Sequence, residues 1–271
     1  MTDKKVPHEV IPCDKLPAGC YRDLPEPPSS WTKLMGPSIL LLGLSIGSGE
    51  FVLWPYITYK FGFVVFWACM VGVLTQYFIN MEIERWTLAT GETAVTGFCR
   101  LWSGWAPVFL LCNIVPWVWP GWASGAATIL SWELGGGEGM RVFYSIASLI
   151  AIGLALSLGP VVYNTVERIQ TVLIGGVLLF LLVVFGLVVE VNHVVEMGRG
   201  IANVGHIPAE MELTLFLGAL AFAGAGGTMN LVQSDYVRDK GYAMGAYVSR
   251  LTSPLTGKEE VVDDIGYHFE P

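Results

Sequence analysis

Six long apolar stretches separated by short charged segments dominate the sequence. They cover residues 34–59, 61–81, 105–130, 142–166, 169–189 and 213–234. Each is close to or longer than the ~20 apolar residues that a helix needs to cross a bilayer. The regular alternation of short strands that marks a membrane barrel is absent from the sequence. The pattern therefore predicts an all-α membrane protein with six transmembrane helices.

The composition supports a membrane protein and excludes several other classes. Of the 271 residues, 53% are hydrophobic and 14% are charged, whereas soluble domains contain about 25% charged residues. Much of the net charge of -8 lies in the two polar ends, so it does not indicate an acidic surface, and no nucleic-acid partner is expected. The sequence contains no nucleophile elbow, P-loop or zinc-ligand spacing, and we expect neither enzymatic activity nor a bound cofactor.

The two ends of the chain differ from its middle. Prolines recur through residues 1–33 without an apolar core, which predicts a disordered arm before a membrane domain at 34–241 and a polar tail at 242–271. If the N-terminus is cytoplasmic, the inner segments hold twelve Lys and Arg residues and the outer loops hold only Lys60, Arg141 and Arg199. Because Lys and Arg accumulate on the cytoplasmic side, both ends are predicted to be cytoplasmic, in a plasma or bacterial inner membrane.

The first apolar stretch has a single charged residue, Glu50, in its middle. It follows Gly47, Ser48 and Gly49, and such a cluster weakens a helix. A helix interrupted inside the bilayer must have its freed backbone groups satisfied by protein or by a wet cavity. The stretch therefore predicts a broken span with a carboxylate at the break. The alternative is a glycine pivot in which Glu50 only pairs with a buried partner.

The sixth stretch contains a second cluster of glycines. Gly226 and Gly227 are adjacent, which disfavours continuous helix, and Thr228 and Asn230 then supply polar side chains. Small residues at this spacing also suit close packing between helices, so packing remains an alternative. Two broken spans, separated by four others, are what an inverted repeat of five helices would give.

At these residues the chain resembles the natural-resistance-associated macrophage protein (Nramp) family of divalent-metal transporters. That family has a LeuT-type fold within the amino acid–polyamine–organocation superfamily. The resemblance covers residues 35–241 and rests on matches to motifs in the first, second and sixth spans: Gly36-Pro37, the break at 47–51, Gln76, Arg85, Thr90-Gly91 and the segment 227–231. It implies that the six helices correspond to the first half plus one helix of the inverted-repeat fold.

The site motifs depart from those of the family. The positions of the family's metal-binding Asp, Asn and Met fall on Gly47, Glu50 and Gly227. Only one of the three side-chain ligands remains, and it is a carboxylate. Carboxylate, carbonyl and water oxygens suit Mg²⁺, Ca²⁺ or Mn²⁺, whereas thioether favours softer metals. The resemblance thus implies a harder or more hydrated ion.

The third stretch also departs from the family. Proton-coupled members have acidic residues where Trp119 and Trp122 stand here, and residues 101–132 contain no Asp, Glu or His. Proton relays need titratable groups, so coupling through this span is not expected. The two tryptophans either line the pathway as an aromatic wall or belong to a packed, proline-kinked helix.

Charged residues also mark the inner ends of two spans. Glu82, Glu84 and Arg85 follow the second stretch, and they are interpreted as a solvated or paired helix end, with a gate as the alternative. The charged residues at 235–240 follow the sixth stretch and predict an anchor at the inner membrane face.

Three hypotheses follow. The first is a transporter of a divalent cation such as Mg²⁺, Mn²⁺ or Ca²⁺, which works by alternating access. Its site residues would be Gly47, Glu50, Gly226, Gly227, Thr228 and Asn230, with Glu50 and Asn230 as metal ligands. The second keeps the fold but moves a small organic amine or amino acid, whose ammonium pairs with Glu50. The third is a half-transporter, or a fragment, that needs a second-half subunit or a homo-oligomer.

Overall fold

The computed structural model describes residues 5–12, 16–47, 49–119, 121–158, 161–224, 226–250, 252–253, 255 and 266–269, and most of these are helical. The helices are α1 (Trp31–Ser45), α2 (Trp54–Phe61), α3 (Phe66–Thr90), α4 (Ala94–Leu101), α5 (Trp105–Val118), α6 (Gly121–Glu133), α7 (Gly137–Leu158), α8 (Val162–Val188), α9 (Val191–Ala202), α10 (Leu213–Ala221) and α11 (Met229–Lys240). A π-helical turn (Gly49–Leu53) precedes α2, and a 3₁₀ turn (Ala243–Tyr247) follows α11. Two short strands, β1 (Cys20–Tyr21) and β2 (Tyr267–His268), complete the described elements.

Helices of membrane-spanning length and composition are present. Among the described residues they are α5 and α6 taken as one span (Trp105–Glu133), α7 (Gly137–Leu158) and α8 (Val162–Val188). Leu34–Ser45 and Glu50–Phe61 form a fourth candidate, bent by 50° at a short break. Helix α3, over the second predicted span, has polar residues within its apolar sequence, and α10, over the sixth, is only 9 residues long, so neither is among these candidates. The structure thus supports an all-α membrane protein, while the six-span count stays a prediction.

The exterior of the bundle is apolar. Helix α7 has no buried residue, and α8 buries only Tyr163 and Ile174. Large side chains such as Leu149, Leu182 and Phe185 are exposed along these two helices. Where α7 and α8 are not packed against other helices, their apolar surface suits contact with lipid.

The centre of the bundle is formed by α1, α3, α8 and α11. Helix α1 packs against α8 and α11, and α11 also packs against α3. Gly36 and Gly43 allow the close approach of α1 to α8, because a Cβ at either position would overlap Glu167 or Gln170. Small residues at such positions let helix backbones approach closely in lipid, where packing rather than hydrophobic burial holds helices together.

A cluster of ion pairs lies at the C-terminal end of α11. Lys240 Nζ lies 2.6 Å from both carboxylate oxygens of Glu167 on α8. Arg238 pairs with Asp239 at 2.9 Å and with Asp235 at 3.5 Å. The charged residues that predicted an inner anchor therefore tie α11 to α8 and to one another.

The described part of the N-terminal arm is folded, whereas the sequence predicted disorder over 1–33. Strand β1 pairs in parallel with β2, and Val6, Ile11 and Cys20 are buried. Arg100 explains the difference, because it donates to the carbonyl oxygens of Pro12 (3.0 Å) and Pro17 (3.1 Å) while its guanidinium pairs with Glu92. This contact joins residues more than eighty positions apart, and local composition does not reveal it.

Replacing Arg100 with alanine should destabilise the protein and release the arm. Arg100 and Glu92 are 3% and 7% exposed, and removing one member of a buried ion pair costs about 3–5 kcal/mol. We expect a clearly lower thermal midpoint in detergent and faster tryptic cleavage after Arg22. Arg141→Ala is the matched control, since its pair with Glu138 is solvent-exposed. Equal effects of the two variants would contradict the structural role of the Arg100 pair.

Candidate functional site

At the first helix break, the Glu50 side chain accepts a hydrogen bond from the freed backbone. Helix α1 ends at Ser45, and the π-helical turn begins at Gly49. The backbone N–H of Gly47 donates to Glu50 Oε2 at 3.2 Å, and the carbonyl of Gly47 accepts from the N–H of Phe51 at 3.0 Å. Ser48 lies outside the described residues. Both backbone groups of Gly47 are therefore hydrogen-bonded within the break.

The second broken helix lies at the glycine cluster of the sixth stretch. Helix α10 ends at Ala221 and α11 begins at Met229. Gly224 and Gly227 have φ values of +90° and +68°, a left-handed backbone that glycine adopts without the strain that a Cβ causes. Gly226 is constrained by space instead, because a Cβ there would overlap the carbonyl oxygen of Ala221. The three glycines thus permit a turn that other residues could not form unstrained.

Glu50 links the two breaks. Its Oε1 accepts a hydrogen bond from the backbone N–H of Gly224 at 3.2 Å, while its Oε2 accepts from Gly47. One carboxylate therefore satisfies one freed N–H at each interruption. Hydrogen bonds from N–H groups to an ionised acceptor are roughly twice as strong as neutral ones. The side chain of Glu50 therefore connects the two helix breaks through hydrogen bonds.

Asn230 anchors the second break to α3. Its Nδ2 donates to Gln76 Oε1 at 2.7 Å and to Asn80 Oδ1 at 2.6 Å. Both donor hydrogens of this buried amide are used, so its Oδ1 is the atom left to accept a donor or bind a cation. Thr228 precedes α11 without capping it through its side chain, and its hydroxyl oxygen is a further potential ligand.

Two cavities flank the second break. One of about 710 Å³ is mostly apolar and has Gly227, Thr228 and Asn230 in its wall. The other, of about 440 Å³, is lined by α1 and α3. Gly224 of the second break and Glu84 of α3 are both in its wall. Open space therefore lies beside the residues that the sequence predicts to bind a solute.

The structure brings together some of the predicted site residues and not others. Glu50 contacts the second break through Gly224, and Gly47 is linked to that break only through Glu50. Gly226, Gly227, Thr228 and Asn230 lie at the second break, but the hydrogen bonds of the described residues do not join Glu50 directly to Asn230. Trp119 and Trp122 are 78% and 44% exposed, and neither borders the two cavities just described.

Three residues of this region are not among those that the sequence predicts to form the site: Gly224, Asn80 and Gln233. Gly224 acts through its backbone N–H, for which the sequence holds no specific signal. Asn80 could have been found, since Gln76, Asn80 and Glu84 are spaced four residues apart and this spacing places them on one face of a helix.

The chemistry of the site favours oxygen ligands. Within the described ranges, His, Cys, Asp and Glu side chains do not form a group of three or more that could hold a metal ion. A cation beside Glu50 would therefore take its other ligands from amide, hydroxyl and carbonyl oxygens and from water. Such donors suit hard cations rather than soft transition metals.

Replacing Gly226 with alanine should disturb the second break. The added Cβ would meet the Ala221 carbonyl, and forcing extra volume into a packed site costs about 1–3 kcal/mol. We expect a lower thermal midpoint in detergent. Gly218→Ala is the matched control on α10, because a Cβ there has open space, and alanine favours a helix by up to about 1 kcal/mol over glycine. A Gly226→Ala protein as stable as the Gly218→Ala protein would refute the steric role of Gly226.

Comparisons of the chain with protein-family models, with curated proteins and with solved structures give no match. The resemblance to the Nramp family therefore rests on the motifs in the sequence.

Proposed function

We propose that the chain is a transmembrane transporter of a divalent inorganic cation, with a hard or hydrated ion such as Mg²⁺, Mn²⁺ or Ca²⁺ favoured over a soft transition metal. The observation that supports this proposal is the position of Glu50, whose carboxylate accepts backbone hydrogen bonds from both broken helices. Broken helices that meet inside a bundle are the usual place for substrate and ions in secondary transporters.

The negative charge of the Glu50 carboxylate is the reason for proposing a cation as the substrate. An ionised carboxylate inside a membrane is costly, and such residues face the bundle interior and mark ion or substrate pathways. Two neutral N–H donors stabilise the charge of Glu50 but do not neutralise it. Each carboxylate oxygen also keeps a lone pair beyond its one described hydrogen bond. A divalent cation at these lone pairs would supply the missing positive charge.

The same contacts suggest how ion binding moves the helices. Rotation of the Glu50 carboxylate toward an ion weakens its hydrogen bond to Gly224, which frees the second break from the first. Oxygens of Thr228 and Asn230, carbonyls near Gly47 and Gly226, and water complete the ion's shell. Alternating access then consists of movement of α10 and α11 relative to α1 and α2, with the glycines as hinges.

One observation favours a second candidate, a small organic amine or amino acid. The cavity beside Gly227, Thr228 and Asn230 is mostly apolar, and its volume of about 710 Å³ lies within the range of about 300–1,000 Å³ typical of organic ligand sites. Glu50 would then pair with the ammonium group. In either case we propose that the chain works in a lipid bilayer, alone or with a second subunit.

Substitution of Glu50 tests the cation proposal. In liposomes with purified protein, Glu50→Gln should reduce Mn²⁺ uptake at least tenfold, because the variant loses the charge while an amide oxygen can still accept hydrogen bonds. Glu138→Gln, at an exposed side chain, should transport like the unmodified protein. Glu50→Asp, which keeps the charge, checks whether loss of uptake comes from misfolding. Undiminished uptake by a folded Glu50→Gln protein would overturn the assignment.

Competition separates the two candidate substrates. If the substrate is a hard cation, Mg²⁺ or Ca²⁺ should displace bound ⁵⁴Mn²⁺ from the protein in nanodiscs, and an amino acid mixture should leave it bound. Displacement by amino acids, or saturable amino acid binding that Glu50→Gln abolishes, would favour the organic amine instead.

A further inference from the structure

A column of polar side chains runs along α3 away from the break. Gln76, Asn80 and Glu84 occupy one face of this helix, and Gln76 and Asn80 bind Asn230 of α11. One helical turn further along α11, Gln233 donates from its Nε2 to Glu84 Oε1. At ~1.5 Å rise per residue, Glu84 lies ~12 Å along α3 from Gln76. The column therefore leads from the break toward the helix end that the sequence places at the inner membrane face.

Gln233 has an unsatisfied acceptor. Its side chain is only 2% exposed, and its Oε1 has no hydrogen-bond partner within the described part of the chain. Leaving a buried polar group unpaired costs about 1–3 kcal/mol. A buried amide oxygen beside a carboxylate, with no donor of its own, is the arrangement that a cation or its water ligands would complete.

Glu84 and Gln233 border a cavity that neighbours a second one. Both border the cavity of about 440 Å³ that begins at Gly224. A second cavity, of about 420 Å³, shares Ser38 and Glu84 with the first and extends to residues 24–28 of the proline-containing arm. Glu84 thus lies in the wall of both the cavity beside the break and the cavity beside the arm.

We propose that Glu84 and Gln233 form a second cation-binding site on the inner side of Glu50. This inference rests on the proposed function, because it assigns the site to the same transported ion. The Glu84 carboxylate supplies charge, the Oε1 of Gln233 supplies a neutral oxygen, and water fills the remaining positions. A volume of about 440 Å³ accommodates a hydrated ion, since water occupies about 30 Å³ per molecule in the liquid.

A second site would let the ion pass through the protein in two steps. An ion that leaves Glu50 needs a site weak enough to release it again, and several moderate sites in sequence allow passage where one tight site would trap the ion. A site made of one carboxylate and one amide oxygen, as at Glu84 and Gln233, and completed by water is of this moderate kind.

Counting bound ions tests the proposal. The full-length chain in lipid nanodiscs is titrated with Mn²⁺, and the electron paramagnetic resonance signal of free Mn²⁺ gives the number of ions bound per chain. We expect two ions for the unmodified protein, one for Glu84→Gln and one for Glu50→Gln. The matched control is Glu82→Gln, two positions away on α3 and exposed beside Arg85, which should still bind two ions.

A second variant keeps the test decisive if Glu84→Gln does not fold. Gln233→Met removes the buried oxygen and retains the Glu84 charge, and it should weaken the second ion's affinity by about tenfold while leaving the first unchanged. Two ions bound with unchanged affinities in Glu84→Gln or Gln233→Met would overturn the second site. One ion in the unmodified protein, lost only in Glu50→Gln, would overturn the second site and leave the proposed function standing. Absence of Mn²⁺ binding would overturn both.

Discussion

The satisfaction of backbone groups at a helix break is the constraint on which the site depends. A helix in lipid can stop and restart only if protein or trapped water takes over the hydrogen bonds that the interruption frees. Here a single acidic side chain does this for two helices at once, through the amides of Gly47 and Gly224. The carboxylate is therefore part of the scaffold as well as a candidate ligand. Any partner that competes for it also changes how the two helices are held together.

Around this link, three helices contribute different kinds of support. Helix α3 presents amides, which hold the start of α11 through Asn230. Helix α1 presents small residues, and Gly36 and Gly43 let it lie close to α8. Ion pairs fix the far end of α11 to α8 through Lys240 and Glu167. Helix α11 is thus held at both ends, while the glycines form the turn that separates it from α10.

The sequence predicted the helical class and the two interruptions well, because each leaves a local signal. Long apolar stretches predict helices, and adjacent glycines such as Gly226 and Gly227 predict a break. The partners were harder to predict. Gly224 donates to Glu50 through its backbone N–H. Every residue except proline has this group, so the residue type does not predict the hydrogen bond. The binding of Arg100 to the arm joins distant segments. Glu84 stands beside Glu82 and Arg85 in the sequence, which favours a helix end or a gate, and the face that it shares with Gln76 and Asn80 is visible only at a spacing of four residues.

The pairing of β1 with β2 restricts the membrane topology independently of the distribution of Lys and Arg residues. Cys20 lies opposite Tyr267, and Tyr21 lies opposite His268, so segments from near the two termini are hydrogen-bonded neighbours. Two polar segments that touch must share one compartment, and the chain between them must return to the side from which it left. The number of complete bilayer crossings between residues 21 and 267 is therefore even. An arrangement with three or five crossings is incompatible with this strand pair, whichever compartment the strands occupy.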